Sequence, residues 1–274
     1  MWPISLKEIS RRVESEAHRM FRSAGELNRL QGHAGAVGGA IRSAIELEIA
    51  PEELRYVQAI ENLREQMKGS TQQLEFVDFG SSHPGATIHT SLGAISRHSS
   101  KRGRQALMML KLVRSLQAAN VLELGTSVGI SAAYQAVGLK INGRGRLFTL
   151  EGAPPLAAIA TSNLGQLDLI RCVDVIVGRF ADTLPGVLQR MRYIDFAFID
   201  GHHDHTATLQ YFKQIKPFLQ PNAVVIFDDI DWSPGMAAAW EEIARDPAVS
   251  ITVDLFSMGL CMLTGPKQAF RIAV

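Results

Sequence analysis

The sequence predicts an α/β fold: a doubly wound, mostly parallel sheet of seven strands behind a helical N-terminal extension. Three observations carry that expectation. From residue 104 onward, short apolar runs alternate with amphipathic helical stretches, the pattern of a parallel sheet covered on both faces. One such run, Val121–Leu124, passes straight into Gly125-Thr-Ser-Val-Gly129, a glycine turn that opens a helix. The region before residue 76 has helical periodicity and no strand signal.

Residues 5–30 set Leu6, Ile9, Val13, Ala17, Met20 and Phe21 at helical spacing among charges. The Gly/Ala-rich stretch 32–40 predicts a break. Pro51-Glu-Glu opens a second helix with Leu54, Val57, Ile60, Leu63 and Met67 on one face, and Gly69-Ser70 suits its end. Residues 1–75 are therefore a helical extension, expected to pack and form a homodimer, or to roof a substrate pocket. Residues 76–274 form the main domain.

That domain starts with an irregular stretch, 76–103, and a long loop in a compact domain is often functional. Its basic cluster, Arg97-His-Ser-Ser-Lys-Arg-Gly-Arg104, reads as solvated surface charge, with capture of an anionic substrate as the alternative. Then come helix Gln105–Gln117, strand Val121–Leu124, helix Ile130–Val137 and strand Leu147–Leu150. A helix near Leu156–Leu164, strand Val173–Val177, helix Ala181–Met191 and strand Phe196–Ile199 follow. Helix Ala207–Phe218, strand Ala223–Phe227 and helix Pro234–Ala244 complete the alternation. Two late strands, around Ile251–Phe256 and Gly259–Leu263, are joined too tightly to be anything but an antiparallel hairpin.

Composition narrows the function. With 28 basic against 27 acidic residues, the chain lacks the charge excess that captures nucleic acid or acidic membrane. No apolar run is long enough to cross a bilayer, so a cytoplasmic protein is expected, with a small molecule rather than a membrane or nucleic acid as partner. Cys172 and Cys261 sit in apolar runs and read as buried small hydrophobes.

Open parallel sheets bind ligands at the carboxyl ends of their strands. Five successive strand ends here carry Gly125, Glu151, Gly178-Arg-Phe180, Asp200-Gly-His-His203 and Asp228-Asp229. Glu151 lies 26 residues beyond Gly125, at the next strand end, where a carboxylate can accept from both hydroxyls of a ribose. The glycine loop is not the Gly-x-Gly-x-x-Gly of a dinucleotide site, and Thr126-Ser127 puts hydroxyls where a pyrophosphate would approach. A cofactor with ribose and adenine but no phosphate fits.

With those residues in place, Glu123-Leu-Gly-Thr-Ser-Val-Gly-Ile-Ser131, Phe198-Ile-Asp-Gly-His-His203 and Val225-Ile-Phe-Asp-Asp-Ile-Asp-Trp232 resemble motifs of class I S-adenosylmethionine-dependent methyltransferases, the catechol-type O-methyltransferases and their bacterial relatives. The resemblance covers about residues 76–270. It implies a Rossmann-like sheet whose last strand is antiparallel. It assigns Glu123, Gly125, Thr126, Ser127 and Ser131 to the methionine end of S-adenosyl-L-methionine, Glu151 to the ribose, and Arg179 and Phe180 to the adenine. Asp200 matches a position beside the reactive centre that binds a divalent metal, Mg²⁺, with Asp228 and Asp229 as partner ligands. Metal-using members carry a lysine shortly after the fourth-strand aspartate, where this chain has His203.

Two mechanisms are therefore open. A metal at Asp200, Asp228 and Asp229 would lower the acceptor's pKa and position it; alternatively His203, or His202, takes its proton. Asp228 and Asp229 can share an ion only if the strand has already turned, since neighbouring strand residues point to opposite faces. Trp232, Met236 and Trp240 either line an aromatic acceptor pocket or pack as helix core. The expected activity is O-methylation of a small-molecule hydroxyl. The rivals are an NAD-type oxidoreductase and a non-catalytic adenosyl-binding module that works through a partner.

Overall fold

The computed structural model describes residues 6–80, 85–98, 100, 101, 103–255 and 257–272, with side chains from residue 24 onward. The predicted apolar positions Leu6 to Phe21 thus lie outside the described side chains. Two helices lead, α1 (Leu6–Glu46) and α2 (Pro51–Lys68). Gly35 interrupts α1 at φ 55°, so the predicted break exists, as a kink with helix on both sides. There the chain folds back: Arg42 Nη1 donates to Asn28 Oδ1 at 2.6 Å, and a side chain at Gly38 would collide with the Leu30 carbonyl oxygen at 2.4 Å.

Next comes a feature the sequence pattern did not reveal. β1 (Gln73–Val77) and β2 (Thr87–Ser91) pair as an antiparallel hairpin within the stretch read as irregular. The two strands bury one side chain between them, Leu74, so apolar alternation is weak there. The 75/76 boundary falls inside β1.

After α3 (Leu92–His98) and α4 (Gly103–Ser115) the predicted alternation follows. It comprises β3 (Asn120–Leu124), α5 (Ile130–Asn142), β4 (Arg146–Glu151), α6 (Pro154–Gln166), β5 (Val173–Val177), α7 (Phe180–Met191), β6 (Ile194–Ile199), α8 (His205–Ile215), β7 (Leu219–Asp228) and α9 (Pro234–Arg245). β8 (Ile251–Asp254), β9 (Met258–Met262) and β10 (Gln268–Arg271) close the sheet. The order is β10-β8-β9-β7-β6-β3-β4-β5, and β9 is the antiparallel strand, as the hairpin expectation required.

The sheet has eight strands rather than seven. The addition, β10, runs parallel to β8 and carries one buried side chain, Phe270. A four-residue strand with one buried side chain gives no period to read. Its pairing is earned instead by α1, whose His33 and Arg29 both stack on Phe270.

Strand side chains alternate between the two faces. Val121, Phe196, Phe198, Val224 and Ile226 join a core with α1, α2, α4 and α5, while Leu122, Leu124, Ala197, Val225 and Phe227 join another under α7, α8 and α9. Leu27, Leu30, Val37, Ile41 and Ile45 of α1 belong to the first core, so from Leu27 on the apolar face of the extension packs on its own chain. Each such side chain contributes roughly 1.5–3 kcal/mol by leaving water. Sandwiched this way, the sheet presents its carboxyl ends as one rigid rim.

Candidate active site

β3 and β6 are adjacent parallel strands, so Gly125 and Asp200 leave the sheet side by side. Gly125 has φ 104°, and a Cβ there would lie 2.0 Å from the Asp200 carbonyl oxygen, so this crossing point admits only glycine. Gly129, with φ 86°, turns the chain into α5 against Ala160. Above the rim opens a cleft of about 890 Å³, lined by Gly125, Thr126, Ser127, Ser131, Glu151, Arg179, Phe180, Asp200, His202, His203 and Asp229. Of the eight non-glycine residues with positive φ among those described, four (Ser127, His202, His203 and Asp229) stand on this rim. Backbone strain concentrated there is the usual mark of a functional site.

At one end of the cleft, Glu151 Oε2 accepts from the Ser127 N–H at 2.7 Å and Oε1 from the Ala153 N–H at 2.9 Å. Burial pushes its pKa up, and the backbone N–H groups of Ala153, Ser127 and Gly152 oppose that. A carboxylate has about four lone-pair sites, so two remain for a ligand. Ser127 Oγ is buried without a hydrogen-bond partner. A pre-aimed carboxylate and an orphaned hydroxyl are what an adenosyl group with hydroxyls and an amino-acid tail would satisfy. Phe79 packs where a side chain at Gly152 would sit, and Arg179 lies over the Phe79 ring at 5.7 Å.

Glu123 lies beneath this end, fully buried and absent from the cleft lining. Thr149 Oγ1 donates to its Oε2 at 2.5 Å and Gln135 Nε2 to its Oε1 at 2.6 Å, and the Thr149 hydroxyl continues to Thr126 at 2.5 Å. The residue thus braces the Gly125–Gly129 loop from below. Burial, resisted by the Thr149 and Ser131 hydrogen bonds, pushes its pKa to about 7.

A raised folded-state pKa means the stability contribution is complete below the unfolded value and is lost as pH climbs to about 7. Against the ordinary 4.5, that loss is on the order of 3 kcal/mol. Glu123→Gln mimics the protonated form. Urea melts without cofactor should find the two proteins alike at pH 5 and the variant the more stable at pH 8; equal curves at both pH values would refute this.

At the other end, the three predicted carboxylates do not share one point. Asp200, His203 and Asp229 bring ligand atoms within 4.8 Å of one another, without Asp228. Asp229 has φ 52°, so the chain has turned after β7. Asp228 has no exposed side-chain surface, and its carboxylate is ion-paired with the Lys101 ammonium. That ammonium is also 3.6 Å from Asp200 Oδ2. His203 fills the other gap, with Nε2 3.6 Å from Asp200 and Nδ1 3.7 Å from Asp229. The Mg²⁺ that the resemblance implies would meet basic side chains in both gaps between the carboxylates, Lys101 in one and His203 in the other. Mg²⁺ also requires near-octahedral oxygen donors, whereas the convergent group includes an imidazole.

His202 serves Phe180 rather than the carboxylates. Its Nδ1 pairs with the Tyr211 hydroxyl at 2.8 Å, its ring meets Phe180 edge-on, and burial lowers its pKa, favouring the neutral form. Trp232 lines the cleft and is 65% exposed, whereas Met236 and Trp240 pack inside. Lys101 is the residue that sequence reasoning missed: its side chain is 11% exposed, not solvated surface charge as expected. Arg102 lies outside the described residues.

Sheet order, glycine loop and rim together define the class I methyltransferase fold. Residues 122–230 match the family model described as a methyltransferase domain. The catechol O-methyltransferase of Niastella koreensis is 32% identical over 127 residues, 46% of this chain and 56% of that protein. That of Mycobacterium tuberculosis is 31% identical over 135 residues, 49% and 59%. The chain thus spans under two thirds of the length of these relatives. The O-methyltransferase from Bacillus cereus in complex with SAH shares the fold, with a TM-score of 0.53 at 22% identity over 76% of this chain and 90% of that one. No helix among the described residues is long and apolar enough to cross a membrane.

Proposed function

We propose that this protein transfers a methyl group from S-adenosyl-L-methionine to a hydroxyl oxygen of a small molecule, with His203 as proton acceptor. The observation that carries the reading is one cleft with Glu151 braced at one end and the Asp200–His203–Asp229 group at the other. Glu151 would hold the ribose, Ser127 and Ser131 the amino-acid tail, and Arg179 with Phe180 the adenine side. Bound there, the cofactor supplies an electrophilic methyl group on a cationic sulfur that departs as a neutral thioether, keeping the bonding electron pair.

The protein's part is alignment and proton removal. A hydroxyl is a poor nucleophile until its proton leaves, and His203 can take that proton on a ring nitrogen. Asp200 lies 3.6 Å from its Nε2 and Asp229 3.7 Å from its Nδ1, one on either side of the ring. Trp232 at the mouth offers an aromatic face to the acceptor.

Calorimetry checks the class. S-adenosylhomocysteine should bind with micromolar affinity and NAD at least about a hundredfold more weakly, since the glycine loop is not the Gly-x-Gly-x-x-Gly of a dinucleotide site. Tighter binding of NAD would favour the oxidoreductase rival. Cofactor binding with no turnover on a broad panel of phenols and alcohols would favour the non-catalytic module.

A further inference from the structure

The carboxylate end raises a question that the proposed reaction leaves open: what neutralises it. Asp228 has no exposed side-chain surface, and a buried carboxylate without a counter-charge is costly. Its partner is the Lys101 ammonium, which leans across to Asp200 as well. Lys101 therefore bridges the tips of β6 and β7 from a loop far away in sequence.

That loop is pinned from the N-terminal extension. Arg64 of α2, itself 5% exposed, donates from Nη1 to the Lys101 carbonyl oxygen at 2.5 Å, and Glu61 steadies Arg64 at 3.0 Å. From the other side, Gln105 Nε2 donates to Ser257 Oγ at 3.0 Å and ties the start of α4 to the β8–β9 turn. The lysine is held by buried scaffolding, unlike a surface side chain that sweeps through solvent.

We propose that Lys101 is a built-in cation that takes the place of a divalent metal, so that methyl transfer in this protein needs no metal ion. The inference rests on the methyl-transfer reading. The ammonium is ion-paired with Asp228, stands 3.6 Å from Asp200, and lines the cleft in which the acceptor oxygen would lie. A point charge beside that oxygen favours the developing oxyanion, the service a metal would otherwise give. Helix α2 contributes as well, since through Arg64 it fixes where that charge stands.

Mn²⁺ binding, read by electron paramagnetic resonance with and without S-adenosylhomocysteine, tests this directly. The wild-type protein should show no saturable binding up to roughly millimolar Mn²⁺. Lys101→Met keeps length and apolar bulk but removes the charge, and should bind Mn²⁺ about a hundredfold or more tighter than wild type, because a like charge a few ångströms from the ion is gone. Lys101→Arg keeps the charge and should behave as wild type, which also covers the case in which the methionine variant does not fold. Saturable micromolar Mn²⁺ binding by the wild-type protein, or equal binding in wild type and Lys101→Met, overturns the proposal. The S-adenosylhomocysteine affinity, set at the Glu151 end, should be the same in all three. Its absence throughout would sink the methyl-transfer reading, while the Mn²⁺ comparison would still decide the charge question.

Discussion

Glu151→Ala is expected to weaken S-adenosylhomocysteine binding by about a hundredfold in calorimetry. Two of the carboxylate's lone-pair sites accept backbone N–H groups, from Ser127 and Ala153. The remaining two suit the two hydroxyls of a ribose. A hydrogen bond to a charged group is worth about 1.5–3 kcal/mol, and two of them comfortably exceed the roughly 2.8 kcal/mol that a hundredfold change requires.

Glutamine should do no better than alanine. Its amide nitrogen would meet either the Ser127 or the Ala153 N–H, placing donor against donor. Loosening of the loop could weaken binding by itself, so a second ligand separates the causes. An analogue without the two ribose hydroxyls should lose affinity on the wild-type protein and lose little more on Glu151→Ala, the signature of a direct contact in a double-mutant cycle. An unchanged Kd for the parent compound in Glu151→Ala would remove the ribose assignment and with it the orientation of the cleft.

The strand tips were legible in the sequence because a parallel sheet exposes them at a fixed place, just after each apolar run. Gly125, Glu151, Asp200 and Asp229 all stand on the rim for that reason. Strand alternation also explains where the reading of Glu123 stops short. It lies within β3, not after it, so its side chain enters the sheet's covered face and acts on the loop through Thr149 and Thr126. Lys101 was illegible on other grounds. Its burial depends on Asp200 and Asp228, about a hundred residues away, and on Arg64; no local window contains those partners. The hairpin of β1 and β2 and the edge strand β10 escaped because each buries too few side chains to leave a period.

His203→Gln should lower kcat by about 10²–10⁴-fold, the range for losing a positioned proton acceptor. The S-adenosylhomocysteine Kd should stay where it is, because Glu151 sits at the opposite end of the cleft. Glutamine keeps a planar polar group between Asp200 and Asp229 but cannot take up a proton near neutrality. The variant's rate should therefore rise with hydroxide concentration and recover in part with added imidazole. A purely structural histidine would show neither response. His202, adjacent in sequence, is a poor substitute, since the Tyr211 hydroxyl occupies its Nδ1 and Phe180 covers its ring. The assay needs an acceptor, found by screening phenols and alcohols for release of S-adenosylhomocysteine. A kcat unchanged by His203→Gln would move proton removal to another group.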